Sequence, residues 1–148
     1  MPTPTNQQMN IYACTFTPTG GAATPILGVQ SVSFDENGDV LSEGSDGDLF
    51  DTVSGVVKLA PMVTLTLNRG MLGLATLTAG VAGTLVFTVG DFRNAAVAAG
   101  GGKIFTVANA ILNPRKFDAQ HRNTVKQTLP FSTFSSDGQT NPVGIAAA

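Results

Sequence analysis

Residues 26–67 read ILGVQSVSFDENGDVLSEGSDGDLFDTVSGVVKLAPMVTLTL, and their patterning decides the fold class. At the far end, MVTLTL (62–67) alternates strictly: Val63, Leu65 and Leu67 fall on one face, Thr64 and Thr66 on the other. Successive strand side chains point to opposite faces, so this is a strand with one buried side. Val53 to Lys58 reads as the strand paired with it. At the near end, Ile26 to Phe34 is another strand, with Ile26, Gly28, Gln30, Val32 and Phe34 expected on one face. It runs into Asn37-Gly38, a dipeptide that accepts the positive φ of a tight hairpin turn.

Between these strands lies DENGDVLSEGSDGDLFD (35–51). It holds Asp35, Glu36, Asp39, Glu43, Asp46, Asp48 and Asp51, seven of the ten carboxylates in the chain. All eight basic residues come later: Lys58, Arg69, Arg93, Lys103, Arg115, Lys116, Arg122 and Lys126. Residues 1–51 therefore carry −7 and residues 52–148 carry +5, hidden in a net charge of −2. Such a split concerns partners rather than fold. The segment is expected to be an arm, mobile in the free monomer, whose tip Leu49-Phe50 and carboxylates order against a second copy. Its expected counterparts there are Arg93, Lys103, Arg115, Lys116 and Arg122.

Outward from the arm, strands recur at short spacing. Asn10 to Thr17, Gly83 to Val89, Lys103 to Leu112 and Asn123 to Ser135 are rich in β-branched and aromatic residues. Arg69 to Thr78 places Met71, Leu74, Ala75 and Thr78 at helical spacing and predicts one short helix, and AAVAA (95–99) a possible helical turn. Residues 1–9 are expected to be a flexible leader. Asp137-Gly138 and Asn141-Pro142 are turn signals at the end. The expected architecture is mainly β: one domain over 1–148, a β-sandwich or barrel-like body with one short flanking helix and a long acidic loop.

Composition narrows function. Charged residues are 12% and apolar residues 43% of the chain, less charge than a monomer of this size normally shows to water. Burial of surface by self-assembly is the simplest account. The N-terminus MPTPTNQQMN has neither a basic nor an apolar signal region, so no signal peptide is expected. Met71 to Gly90 is a twenty-residue uncharged run, long enough to span a bilayer. Its threonines and glycines and its strand-like second half favour a soluble core, and no membrane partner is expected.

Chemistry is sparse. A single cysteine, Cys14, excludes a disulfide framework. The one histidine, His121, lies in a polar, basic linker. No serine sits in a GxSxG elbow. Gly100-Gly101-Gly102-Lys103 fails as a phosphate loop, with Val97 at the first glycine and Ile104 in place of Ser/Thr. Asp35, Asn37 and Asp39 alternate like a calcium loop, but the glycine falls early and Asp46 stands where Glu is needed. Neither an enzyme nor a cofactor or metal site is expected.

The order of these features is similar to that of the tail tube proteins of tailed bacteriophages. It comprises a strand, an Asn-Gly turn, the arm SEGSDGDLFD, the strands VSGVVKLAPMVTLTL, the helix RGMLGLATLT, and long strands ending in FSTFSSDGQTNPV. The resemblance spans Ile26 to Val143. It implies hexameric rings whose strands join into an inner barrel, stacked as a tube that conducts DNA out of the virion. The loop matching 35–51 would reach neighbouring subunits and the adjacent ring. Threonines such as Thr64, Thr66, Thr84 and Thr88 would face a wet lumen. Further implied partners are tape-measure, baseplate and sheath proteins, with assembly in the host cytoplasm and a final place in the virion tail. Alternative expectations are a tail terminator, connector or head decoration protein, and a carbohydrate- or calcium-binding β-sandwich module.

Overall fold

The computed structural model describes residues 9–47, 49–51, 53–68, 77–91, 102–115, 120–122 and 126–147. Among these residues the elements are all strands: β1 (Met9–Pro18), β2 (Thr24–Pro25), β3 (Val29–Asp35), β4 (Gly38–Glu43), β5 (Val53–Leu59), β6 (Met62–Leu67), β7 (Ala82–Asp91), β8 (Lys103–Leu112), β9 (Gln127–Thr133) and β10 (Val143–Ala147). The helix expected over 69–78 lies outside the described residues except for its last two, as do the AAVAA segment and nearly all of the leader.

Eight strands form one antiparallel sheet in the order β2-β1-β7-β8-β9-β6-β3, with β10 also on β8. The sheet curls onto itself. Phe16 of β1 meets Phe131 of β9 at a ring-centroid distance of 5.4 Å, although β7 and β8 lie between their strands. The segment 26–28 bridges the two edges. The Ile26 N–H donates to the Cys14 carbonyl on the β1 side, and the Asn68 N–H donates to the Gly28 carbonyl on the β6 side. The result is a barrel-like body, mainly β as the alternation requires.

Its core is the inward set of each strand. Val63, Leu65 and Leu67 of β6, Leu129 and Phe131 of β9, Leu85 and Phe87 of β7, Val107 and Leu112 of β8 and Phe16 are at most 1% exposed. Each such side chain contributes about 1.5–3 kcal/mol relative to exposure. Phe87 stacks on Phe105 at 4.9 Å, and Phe34 tilts against the same ring at 6.5 Å. At Gly83 the strands come so close that a Cβ would lie 2.8 Å from the Phe16 ring and 2.9 Å from Pro18 Cα. Only glycine fits there.

Register shifts in the main sheet occur between β1 and β7, between β3 and β6 and, at Gly83–Leu85, between β7 and β8. In β1, Ala13 and Cys14 face β7 between the pairs Tyr12↔Thr88 and Thr15↔Val86, and Ala13 takes a positive φ of 48°. In β3, Gln30 is the extra residue between Val29↔Leu67 and Ser31↔Thr66. That bulge corrects the expected face of Ile26 to Phe34. A strict period of two puts Gln30 inward and Val29 outward, whereas Val29, Val32 and Phe34 pack on the core and Gln30 is exposed.

The largest departure concerns pairing around the arm. β5 and β6 are not partners; β5 pairs β4, and β6 lies between β3 and β9. The register carries over without a shift from Asp35↔Met62 in the main sheet to Gly38↔Leu59 in the arm. β3–β4 and β5–β6 are thus the two sides of one long ribbon, bent once. Asn37-Gly38 marks that bend and not a hairpin turn. Asn37 has φ 44°, and its N–H donates to Asp35 Oδ1 at 2.9 Å. Opposite it, the Ala60 N–H is shared between the Glu36 and Asn37 carbonyls, and Pro61 has no N–H to extend the ladder. The chain reverses farther out, between Glu43 and Val53.

β10 was not expected. Its sequence, VGIAA, is poor in strand-forming side chains, and only Val143 is buried. It pairs with the first half of β8, while β9 takes the second half.

Candidate assembly interface

The described part of the arm projects beyond the sheet as a two-stranded ribbon, and its side chains face water. Asp35, Glu36, Asp39, Glu43, Asp46 and Asp51 are all exposed. So are the apolar Val40, Leu41 and Leu59, at 71%, 50% and 57%, and Leu49 and Phe50 at 92% and 83%. Adjacent residues of a strand point to opposite faces, so Val40 and Leu41 make both faces of the ribbon partly apolar. They and Leu59 escaped the sequence reasoning, although the adjacency Val40-Leu41 was a visible signal. The ribbon's outer edges have no described strand beside them. A two-stranded ribbon with free edges is marginal alone in water and is a template for pairing with another chain.

The base of the tip is fastened. The Ser42 hydroxyl donates to the Asp51 carboxylate across the two sides. Gly44 lies against the same residue; a Cβ there would be 3.5 Å from Asp51 Oδ1 and from the Phe50 carbonyl oxygen. One expected contact residue of the tip, Asp48, lies outside the described residues.

The expected basic counterparts differ in availability. Lys103 is exposed at the start of β8, and Arg122 is exposed in a turn with φ 58°. Arg115 serves its own chain: its guanidinium donates to the Leu77 carbonyl at 2.7 Å, and burial lowers its pKa. Arg93 and Lys116 lie outside the described residues.

The outer face of β3, β6 and β9 is a hydroxyl-rich surface. Cross-strand rows run Ser31–Thr66–Thr128 and Ser33–Thr64–Pro130, and the first charge appears only in the row Asp35–Met62–Ser132. Thr64 and Thr66 thus stand on the wet face, as the alternation requires. Thr84 is half-buried, its hydroxyl 3.4 Å from the Ala108 carbonyl that accepts from it, and Thr88 is buried.

The loop before β10 is organised by one carboxylate. Asp137 accepts from the Ser135 hydroxyl at 2.8 Å, the Gln139 N–H at 2.8 Å, the Thr140 N–H at 2.7 Å and the Thr140 hydroxyl at 2.6 Å. Those bonds, led by the Thr140 hydroxyl, hold its pKa well below the usual carboxylate range. Asn141 Oδ1 then accepts from the Val143 N–H at 3.0 Å and starts β10. This loop and the ribbon's bend, through Leu59 and Pro61, line an open cleft of about 280 Å³. The bend is tied to the body because both the N–H and the hydroxyl of Thr133 donate to the Pro61 carbonyl.

Among the described residues, no group of three or more His, Cys, Asp or Glu is placed to hold a metal ion. Cys14 is buried, and burial pushes its thiol up to about 12, which keeps it protonated and unreactive. No described helix is long and apolar enough to cross a membrane.

No protein-family model and no curated protein matches the chain. Solved structures do. A chain of the anti-feeding prophage baseplate, determined by cryo-EM with 6-fold symmetrisation, superposes with a TM-score of 0.60 at 13% identity. The match covers 99% of this chain and 98% of that one. A chain of the anti-feeding prophage tube terminating cap gives a TM-score of 0.53 at 16% identity, over 100% and 93%. At these identities the likeness establishes the fold. It is a fold used in phage-tail-like particles, and both matches run essentially end to end.

Proposed function

We propose that this chain is a structural subunit of a phage tail or tail-like particle that assembles as stacked hexameric rings, forming the tail tube through which DNA passes. The end-to-end likeness to a chain of a 6-fold symmetrised tail-like baseplate carries this reading. The ribbon supports it, because it is an apolar and acidic surface, with edges beside which no described strand lies, that a neighbouring copy would cover. A head-to-tail stack needs two different surfaces on each copy. The −7 portion and the later basic residues, Lys103 and Arg122 among them, supply opposite charge. The uncharged rows around Thr64 and Thr66 suit a conduit wall that wets without gripping a phosphate backbone. Tape-measure, baseplate and sheath proteins would be the further partners, the virion tail the destination and the host cytoplasm the place of assembly. No catalytic role is assigned.

The likeness to a tube terminating cap favours one second reading, a ring that caps the tube instead of extending it. Negative-stain microscopy of concentrated protein separates the two. Long tubes support the tube subunit, isolated rings the cap, and a uniform field of monomers contradicts both.

A further inference from the structure

We propose that Asn37 is a site of spontaneous covalent modification, at which its side-chain amide is lost by attack from the backbone of Gly38. The chain has nine asparagines, and Asn37 alone is followed by glycine. Asn113 and Asn141 precede proline, whose nitrogen carries no hydrogen to lose. The others precede larger side chains, which hinder approach of the following nitrogen.

Position favours the same residue. Asn37 and Gly38 are both exposed, so water reaches the amide. Asn37 lies in the bend between β3 and β4, its carbonyl accepting from the Ala60 N–H, and holds a left-handed φ of 44° just before Gly38 opens β4. Its own N–H is engaged by Asp35 Oδ1, which turns the chain at this point.

The step balances without a cofactor. The Gly38 nitrogen loses its proton to base and bonds to Asn37 Cγ. The Cγ–Nδ2 bond breaks, and ammonia leaves with that proton. Water then opens the five-membered imide at either carbonyl. One opening leaves aspartate at 37; the other leaves isoaspartate, with one extra carbon in the backbone. Both add a negative charge beside Asp35, Glu36 and Asp39. The isoaspartyl product also lengthens one side of the ribbon between Asp35↔Met62 and Gly38↔Leu59, where the register is otherwise unbroken. The bend would thereby record the age of the protein in the geometry of its arm.

The test is peptide mapping of the folded full-length chain after incubation at 37 °C and mildly alkaline pH, with enzymatic isoaspartate detection. A free peptide spanning 33–42 serves as the reference. Conversion at Asn37 ahead of every other asparagine, rising with pH and suppressed in Gly38→Ala, is the expected result. An intact Asn37 in the folded chain, at a time when the free peptide is fully converted, overturns the proposal. So does conversion that Gly38→Ala leaves unchanged, provided circular dichroism shows that variant folded.

Discussion

The projecting ribbon continues two strands of the barrel-like body, β3 and β6, yet body and ribbon meet water oppositely. Inside the sheet, β6 lies between β3 and β9, and Val63, Leu65 and Leu67 are sealed. Past the bend at Asn37 and Pro61 the pairing continues, with a one-residue shift between Gly38 and Asp39, and among the described residues no third strand pairs with β4 or β5. Strand pairing alone therefore does not bury a side chain; a packed face does. The body seals its apolar side chains, whereas the ribbon holds apolar surface that no described residue of this chain covers.

The sharpest way to break that comparison is to truncate matched side chains on its two sides. Phe131→Ala or Leu65→Ala, in the sealed core, should cost about 3–5 kcal/mol, read from the shift of a denaturant unfolding curve. Leu41→Ala in the ribbon should stay within about 0.5 kcal/mol. Similar losses at both positions would mean that the ribbon packs on the body after all.

Leu49→Ser with Phe50→Ser should move the other observable. The denaturation midpoint should hardly change, while sedimentation velocity should show assembled species lost. Unchanged assembly would remove the tip from the interface.

Neutralising the tip with Asp46→Asn, Asp48→Asn and Asp51→Asn should weaken assembly less and flatten its salt dependence, since exposed charges are screened within ~10 Å at 0.1 M ionic strength. An unaltered salt slope would assign the acidic cluster no part in association.

The smallest effect concerns the loop that starts β10. The Asp137 pKa is depressed in the folded state, so its bonds stabilise the fold in full above the ordinary carboxylate value of 3.8, and that stabilisation is lost progressively as pH falls from there through the lower folded-state value. Asp137→Ala should therefore melt below wild type at neutral pH, and the gap should close on acidification. A gap independent of pH would mean that the carboxylate is not the source.

What was legible in the sequence follows the same division. MVTLTL announced its strand because one face is buried and the period is simple, and KIFTVANAIL announced its own by β-branched and aromatic content, since a register shift at Ala108-Asn109 breaks its alternation between Val107 and Ala110. The phase of β3 was not legible, because a single bulge at Gln30 inverts it and nothing in Gln-Ser-Val marks a bulge. Partner choice was not legible either. Val53 to Lys58 sits three residues from Met62, which favours a hairpin on proximity, but Leu59-Ala60-Pro61 bends the chain without reversing it. β10 was hidden because alanine and glycine in an edge strand carry no apolar alternation. The carboxylates of the arm were visible as charge, and the structure describes six of the seven as exposed. The apolar half of that surface, Val40, Leu41 and Leu59, emerged only once the ribbon gave each residue a face.

The claim that a second copy covers the ribbon is most directly tested by negative-stain micrographs of wild-type protein beside the Leu49→Ser/Phe50→Ser variant at the same high concentration. The wild type should show rings or tubes, and the variant only small, folded particles. A wild type that stays monomeric at high concentration, or a variant that assembles as well as wild type, would contradict it.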